Sequence, residues 1–115
     1  MTEELLEAIE REVLSWPGVT KETSQGGPGQ GGHWVPPFTS YRFGKRELGH
    51  IRDNGVADRI FPRAIHDELI SEGRARPHAA GFPAVVSVHV REHDDLHRAV
   101  ELFRMNYDRA RAARR

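Results

Sequence analysis

Apolar residues recur at helical spacing near both ends of the chain, so two long helices are predicted there. The first, over residues 2–16, ends before Pro17-Gly18. Its apolar face consists of Leu5, Ile9, Val13 and Trp16. The apolar face of the last helix consists of Leu96, Val100, Phe103 and Tyr107. A third, shorter helix is predicted in PRAIHDELISEG, because proline suits a first helical position.

The pattern between these helices changes to the alternation of half-buried strands. The segments FTSYRF and RELGHI flank Gly44-Lys45, a two-residue loop with glycine first, as a type II′ hairpin turn requires. Counting outward from the turn pairs Arg42 with Glu47 and Thr39 with His50. The sequence therefore predicts that Glu47 and His50 point to opposite faces of the sheet.

The same register predicts the surroundings of His50. Period two places its side chain beside Tyr41 and Leu48 on one face. We therefore expect His50 to be largely buried, neutral near pH 7 and hydrogen bonded to backbone or to a side chain such as Asp58.

Further strands are predicted at residues 19–23, in VADRIF after the Asn54-Gly55 turn, and in AVVSVHV. The predicted order is α-β-β-β-β-α-β-α. Because short turns join most of the strands, we expect an α+β fold, a two-layer sandwich of an antiparallel β-meander with helices on one face. Residues 1–115 are expected to form one domain.

A loop rich in glycine and proline, SQGGPGQGGHWVPP, occupies residues 24–37. A glycine-rich loop can bind phosphate when a helix N-terminus follows it. Here a predicted strand follows, so we expect a flexible connector.

Composition narrows the function classes. The chain has 115 residues, of which 37% are hydrophobic and 30% charged, its formal net charge is zero, and it has no cysteine. Zero net charge removes the strongest argument for a general nucleic-acid binder, and without cysteine neither disulfides nor thiolate metal sites are available. The acidic start TEELLEAIERE has no signal-peptide pattern, so we expect a cytoplasmic protein that does not enter a membrane.

Charge is unevenly distributed along the chain. Glutamates crowd the first helix and arginines the last, which complements the dipoles of the two helices. The alternative interpretation is a nucleic-acid surface formed by Arg104, Arg109 and Arg111.

From Arg46 onward the chain resembles small bacterial proteins of the luciferase-domain family. The resemblance spans residues 38–108, through RELGHI, ADRIFP, HDELISEGRARPH and LFRMNY. The order of elements is also similar to MmcQ/YjbR-type domains, which have a CyaY-like fold. The resemblance implies an α+β fold but no reaction. It does not imply light production, because flavin-dependent luciferases need a barrel of roughly 250 residues.

Three positions depart from the pattern of the family that the chain resembles. Arg52 stands where a second histidine is usual, Phe82-Pro83 where Gly-Trp is usual, and Asn106 where serine is common. A site that uses the second histidine would be altered in this chain.

The candidate ligand-binding residues are Glu47, His50, Asp58, Arg76 and His78. A strand histidine, a strand carboxylate and a loop histidine are predicted to converge at one edge of the sheet. A carboxylate bonded to imidazole serves structure, ligand binding and catalysis equally well, so all three readings stay open. No catalytic residue, metal or cofactor is assigned, and the spaced pair His93 and His97 lacks a third ligand.

The sequence favours a small binding or regulatory domain, with an unknown small ligand or protein as partner and a ligand site near the Glu47–His50 stretch. The alternatives are a nucleic-acid-binding protein and an enzyme with a histidine–carboxylate site.

Overall fold

Three helices and an antiparallel sheet of six strands make up the fold of the computed structural model, which describes residues 2–52, 54–78 and 84–113. The helices are α1 (Thr2–Leu14), α2 (Arg63–Ser71) and α3 (His93–Ala113). The strands are β1 (Val19–Ser24), β2 (Gly27–Pro28), β3 (Trp34–Val35), β4 (Phe38–Phe43), β5 (Arg46–Arg52), β6 (Val56–Ile60), β7 (Arg76–Pro77) and β8 (Val85–His89). The Phe82-Pro83 pair lies outside the described residues.

The strand order in the sheet is β1-β4-β5-β6-β8-β7, with every neighbouring pair antiparallel. The predicted α+β sandwich and its order of elements are confirmed, with three additional strands of two residues each. Two of these strands, β2 and β3, pair with each other inside residues 24–37, around a short 3-10 helix at Gln30–Gly32. The flexibility of that loop stays a prediction.

Helix α1 ends at Leu14, two residues before the predicted boundary. The residue before a proline is disfavoured in helical conformation, so Trp16 cannot continue the helix into Pro17. Trp16 still packs against Tyr107 of α3, with ring centroids 5.3 Å apart, and the Tyr107 hydroxyl donates to the Pro17 carbonyl at 2.7 Å. The turn after α1 is thereby held against α3.

One face of the sheet, called the inner face here, packs against α1 and α3. Tyr41 of β4 marks this face, because its ring meets Phe103 of α3 edge-on at 5.6 Å and its hydroxyl donates to Glu10 of α1 at 2.6 Å. In β8 the alternating Val86 and Val88 are buried in the same core. Residues adjacent to these in each strand point to the opposite, outer face.

The hairpin of β4 and β5 contains a β-bulge that the alternating pattern does not reveal. Gly44 has a φ of 62° and begins the predicted turn, and Arg42 pairs with Glu47 as expected. Beyond that pair, Tyr41 faces Gly49 and Ser40 faces His50. The predicted partnership of His50 with Thr39 is wrong, because Leu48 is an extra residue in β5.

Glycine is required at the second position of the bulge. A Cβ atom at Gly49 would lie 2.8 Å from Phe103 Cε1 and 2.9 Å from the Asp58 carbonyl oxygen, so a side chain cannot fit there. The backbone at Gly49, with a φ of 157°, also disfavours other residues. The bulge keeps Leu48 in the core, at 1% exposure, and shifts every later residue of β5 by one position.

Asn106 of α3 bridges β5 and β6 at the point where the bulge separates the two strands. The ladder between these strands pairs only His50 with Asp58 and Ile51 with Ala57. Next to the end of this ladder, the Asn106 amide donates to the Leu48 carbonyl at 3.0 Å and to the Ile60 carbonyl at 3.2 Å. One side-chain amide thus satisfies a carbonyl from each strand.

Candidate functional site

A row of polar residues crosses all six strands of the sheet on the outer face. Residues directly opposite each other in antiparallel strands share a face. Reading these partners from β1 to β7 gives Glu22, Ser40, His50, Asp58, Ser87 and Arg76. This set is called the polar row below. It lies on the face of the sheet opposite the apolar core.

His50 stands near the middle of the polar row, between two carboxylates. Its Nδ1 lies 3.2 Å from Glu47 Oε1 and its Nε2 lies 3.3 Å from Asp58 Oδ2. Its side chain is 29% exposed, and the Phe38 ring lies beside it with centroids 5.1 Å apart. The prediction that Glu47 and His50 point to opposite faces is therefore wrong, because the bulge brings both to the outer face.

The charge state of His50 also differs from the prediction. Burial disfavours the charged ring, but the nearby carboxylates of Asp58 and Glu47 outweigh it and raise the pKa of His50 to about 9. The imidazole is therefore a cation at neutral pH. Its predicted proximity to Asp58 is confirmed, whereas its predicted neutrality and its place beside Tyr41 and Leu48 are wrong.

Asp58 is the most enclosed member of the row, with a side chain that is fully buried. The Ser87 hydroxyl donates to its Oδ1 at 2.5 Å. Three basic groups surround its Oδ2: Arg52 Nε at 2.9 Å, His50 Nε2 at 3.3 Å and His78 Nε2 at 3.8 Å. Within the described chain Oδ2 accepts no well-aligned hydrogen bond, and Arg52 and the cationic His50 lie close enough to balance its charge. Burial opposes the charge of Asp58, but its neighbours lower its pKa.

Glu47 forms the accessible end of the cluster, with 30% of its side chain exposed. Its Oε1 accepts a hydrogen bond from the Ser40 hydroxyl at 2.8 Å and lies against His50. The hydrogen bond to His50 lowers the pKa of Glu47 most. Burial raises this pKa, but the hydrogen bond from Ser40 lowers it further, and the net effect is a lowered pKa. Arg42 faces Glu47 across the hairpin, but its Nη1 donates instead to the Lys45 carbonyl at 3.4 Å.

Four of the five candidate residues therefore meet in one place: Glu47, His50, Asp58 and His78. The fifth, Arg76, is exposed at the end of the polar row, two strands away from Asp58.

Sequence reasoning missed Ser40, Ser87 and Arg52 as members of the cluster. The sequence could have placed Arg52 in the cluster, because it is two residues from His50 in the same strand and departs from the pattern of the resembled family. Ser87 alternates with buried valines and so also lies on the outer face, whereas Ser40 could be placed beside Glu47 only with knowledge of the bulge.

The order of these groups restricts their chemistry. In a serine–histidine–carboxylate triad the imidazole stands between the other two and takes the serine proton. Here Asp58 stands between Ser87 and His50, and the Ser87 hydroxyl donates to the carboxylate. A protonated His50 with both ring nitrogens on carboxylates is also no general base. Among the residues that the structure covers, no group of three or more histidine, aspartate or glutamate side chains has an arrangement that could hold a metal ion.

The arginines of the last helix are engaged within the domain. Arg104 pairs with Asp108 at 3.1 Å and lies over the Trp16 ring at 5.2 Å. Arg109 donates to Asn106 Oδ1 at 2.9 Å, and Arg111 lies over the Tyr107 ring at 5.5 Å. These contacts do not favour the predicted nucleic-acid surface, which no observation tests directly.

The fold and the cluster define a class: a two-layer α+β domain that carries a charged histidine–carboxylate cluster on the sheet face opposite α1 and α3. The family model described as Luciferase domain matches residues 45–106, which is 62 of the 115 residues, and the chain belongs to the luciferase-domain family. The match begins at Lys45 in the β4–β5 turn and ends at Asn106, so it includes Glu47, His50, Asp58, Arg76 and His78.

The other comparisons add no relative. No curated protein and no solved structure gives a significant match to the chain. A separate search of the helices in the described segments finds none that is both long and apolar enough to cross a membrane.

Proposed function

We propose that this domain is a small binding module whose ligand contacts the outer face at Glu47, His50 and Arg52. The observation that carries the proposal is the cationic ring of His50, held between two carboxylates and still 29% exposed. A group whose pKa is shifted strongly by specific neighbours at a partly open surface is typical of a functional site. Asp58 and His78 are the inner part of this site, and Arg76 extends it along the polar row.

Stability alone gives little reason for such a cluster. Apolar residues of similar volume commonly replace buried ion pairs without loss of stability, because burying charge is costly. Glu47, His50, Arg52 and Asp58 nevertheless occupy the centre of the sheet, on the face opposite the hydrophobic core. Function is the simpler reason for keeping them there.

Binding is favoured over catalysis by the protonation states. His50 is already protonated at neutral pH, which removes its use as a base, and the Ser87 hydroxyl is directed to Asp58. The accessible groups that remain are the Glu47 carboxylate, the ring face of His50 and the Arg52 guanidinium. Together they recognise a polar ligand without transferring a proton. We place this activity in the cytoplasm.

The proposal is tested by amide and imidazole NMR of the labelled domain during titration with acetate, inorganic phosphate and methylammonium, each a fragment of a polar ligand. We expect at least one probe to give saturable shifts at Glu47, His50 and Arg52, and we expect His50→Gln to remove them. Lys45→Gln, in the adjacent turn, is the matched control and keeps the shifts. Absence of saturable shifts at the cluster with all three probes contradicts the proposal.

A further inference from the structure

The splayed ends of β5 and β6 enclose a second feature that the polar row does not use. Beyond the short ladder between the strands, a cavity of about 270 Å³ opens between them and α3. Its lining includes Arg46, Glu47, Ile60 and Arg109. This cavity is called the β5–β6 gap below.

Two guanidinium groups reach the β5–β6 gap without an ion-pair partner. Arg46 and Arg109 are both exposed, and in the described part of the chain neither is within salt-bridge distance of a carboxylate. Arg109 is anchored by its bond from Nη1 to Asn106 Oδ1 at 2.9 Å, and its other nitrogens stay available. Planar guanidinium groups bind carboxylates through paired hydrogen bonds, so the gap is suited to an anionic group.

The same gap also contains an acceptor. Glu47 lines it, and within the described chain this side chain is bonded through Oε1, which leaves Oε2 for a ligand. A simple anion would be repelled by Glu47, whereas an ammonium group would be attracted to it. A ligand that satisfies the whole lining therefore carries both charges.

An apolar wall completes the gap. Ile60 is 61% exposed, which is unusual for a large hydrophobic residue, and it lies beside Leu48 and Ala110 in the lining. Covering this isoleucine with an aliphatic group removes apolar surface from water. A volume of about 270 Å³ lies near the lower end of the range for small-molecule pockets.

We propose that the β5–β6 gap binds a small zwitterion of the α-amino-acid type with an aliphatic side chain. Its carboxylate lies against Arg46 and Arg109, its ammonium against Glu47, and its side chain against Ile60. Asn106 acts as a positioning residue, because its amide bridges the two strand ends and its carbonyl orients Arg109. The inference rests on the proposed function, since Glu47 also belongs to the cluster around His50.

The experiment compares three probes of the same shape by NMR titration of the full chain. L-Leucine has both charges, 4-methylpentanoate lacks the ammonium group, and 3-methylbutylamine lacks the carboxylate. We expect L-leucine to shift the amides of Arg46, Glu47, Ile60 and Arg109 saturably, and each half-ligand to bind about tenfold more weakly, because one charge-assisted contact is lost.

The variants separate the roles of the lining. Arg109→Gln is expected to weaken the binding of L-leucine about tenfold, since it removes one guanidinium group. Arg111→Gln, on the same helix and outside the gap, is the matched control and leaves the affinity unchanged. In Asn106→Ala the affinity falls while the circular dichroism spectrum of the folded domain is retained, and Asn106→Gln restores part of the affinity.

Three outcomes overturn the inference. The first is the absence of shifts at the gap with L-leucine. The second is binding of either half-ligand as tightly as L-leucine, and the third is a loss of affinity in Arg111→Gln equal to that in Arg109→Gln. Shifts at His50 and Arg52 with acetate, phosphate or methylammonium, together with an unresponsive gap, leave the proposed function standing and reject only this zwitterion site.

Discussion

Glu47 and His50 lie side by side on one face of β5, with Glu47 Oε1 3.2 Å from His50 Nδ1, although a regular strand would point them in opposite directions. One extra residue, Leu48, produces this arrangement. The arrangement of the side chains in the cluster thus depends on a bulge that Gly49 permits. At this bulge the Asn106 amide bridges β5 and β6.

Substitution of the bulge glycine is expected to damage both fold and cluster. In Gly49→Ala the new methyl group would lie 2.6 Å from Arg59 Cγ and 2.8 Å from Phe103 Cε1. Overpacking of this kind costs about 1–3 kcal/mol of the free energy of unfolding, measured by urea denaturation. Gly44→Ala is the control, because open space surrounds its Cβ position and only backbone strain is added. An equal cost at both glycines would argue against close approach at the bulge.

The stability of the domain is expected to fall at both acid and alkaline pH. The pKa of His50 is raised from 6.5 to about 9, so its contribution is complete below pH 6.5 and is lost as the pH rises through about 9. The pKa values of Glu47 and Asp58 are lowered, so their contribution is lost as the pH falls through the folded values. Thermal melts from pH 3 to pH 9 should therefore show a maximum between the carboxyl and imidazole transitions.

The control for the alkaline side is His50→Gln, whose stability should change less between pH 6.5 and pH 9 than that of the native chain. Arg59, with a pKa lowered by burial to about 9, acts with the opposite sign only above that pH, since there the folded state releases its proton first. A decline of equal size in His50→Gln would assign the alkaline transition to another group.

The coupling between Glu47 and His50 is expected to be measurable by a double-mutant cycle. Contacting residues in one charged network have coupling free energies of about 0.5–3 kcal/mol. The coupling free energy between Glu47→Gln and His50→Gln should lie in this range at about pH 6. The exposed pair Arg104 and Asp108, four residues apart on α3, is the comparison and should couple by about 0.3–0.5 kcal/mol. A cycle for Glu47 and His50 no larger than that of the surface pair would mean that the cluster is held together weakly.

Removal of the His50 side chain is expected to destabilise the domain. His50→Ala leaves Asp58 Oδ2 and Glu47 Oε1 without one cationic neighbour, at a cost of about 1–3 kcal/mol in the free energy of unfolding at neutral pH. Glu22→Ala, at the exposed end of the polar row, should have little effect. A fully stable His50→Ala domain would show that the histidine is present for binding alone.

The loop from Ser24 to His33 is expected to be mobile on the nanosecond timescale, because its glycines make ordering costly. The contacts inside it are few, among them the bond from the Gly29 amide to the His33 carbonyl at 2.6 Å. Amide ¹⁵N relaxation measures this directly. Order parameters as high as those of β4 would contradict the prediction.

Much of the fold could be read from the sequence, because helix α1, the strands and the Gly44-Lys45 turn follow local patterns that packing does not override. The bulge could not be placed in the same way. Leu48 is apolar, and so suits the inner face in a regular strand as well as in a bulged one. An isolated glycine within a strand is a known sign of a bulge, and Gly49 is the residue that could have signalled it.

The environment of buried Arg59 was equally hard to predict. Its position in β6 follows from the alternation, yet an arginine is rarely placed in a core. Its guanidinium lies 4.0 Å from the centre of the Phe103 ring and donates to the Ala99 carbonyl at 2.7 Å, both on α3. Contacts between residues 40 positions apart in the chain leave no local trace in the pattern.

The polar row limits how the domain can enter a larger assembly. A third layer, whether helix or sheet, could be added only by burying Glu22, Arg76 and the rim of the His50 cluster, and each unpaired charge would cost several kcal/mol. Any subunit or neighbouring domain that covers this face must therefore bring complementary charges or leave water between the surfaces. The helices already pack against the apolar face of the sheet, so the polar row suits the other side to solvent or to a polar companion.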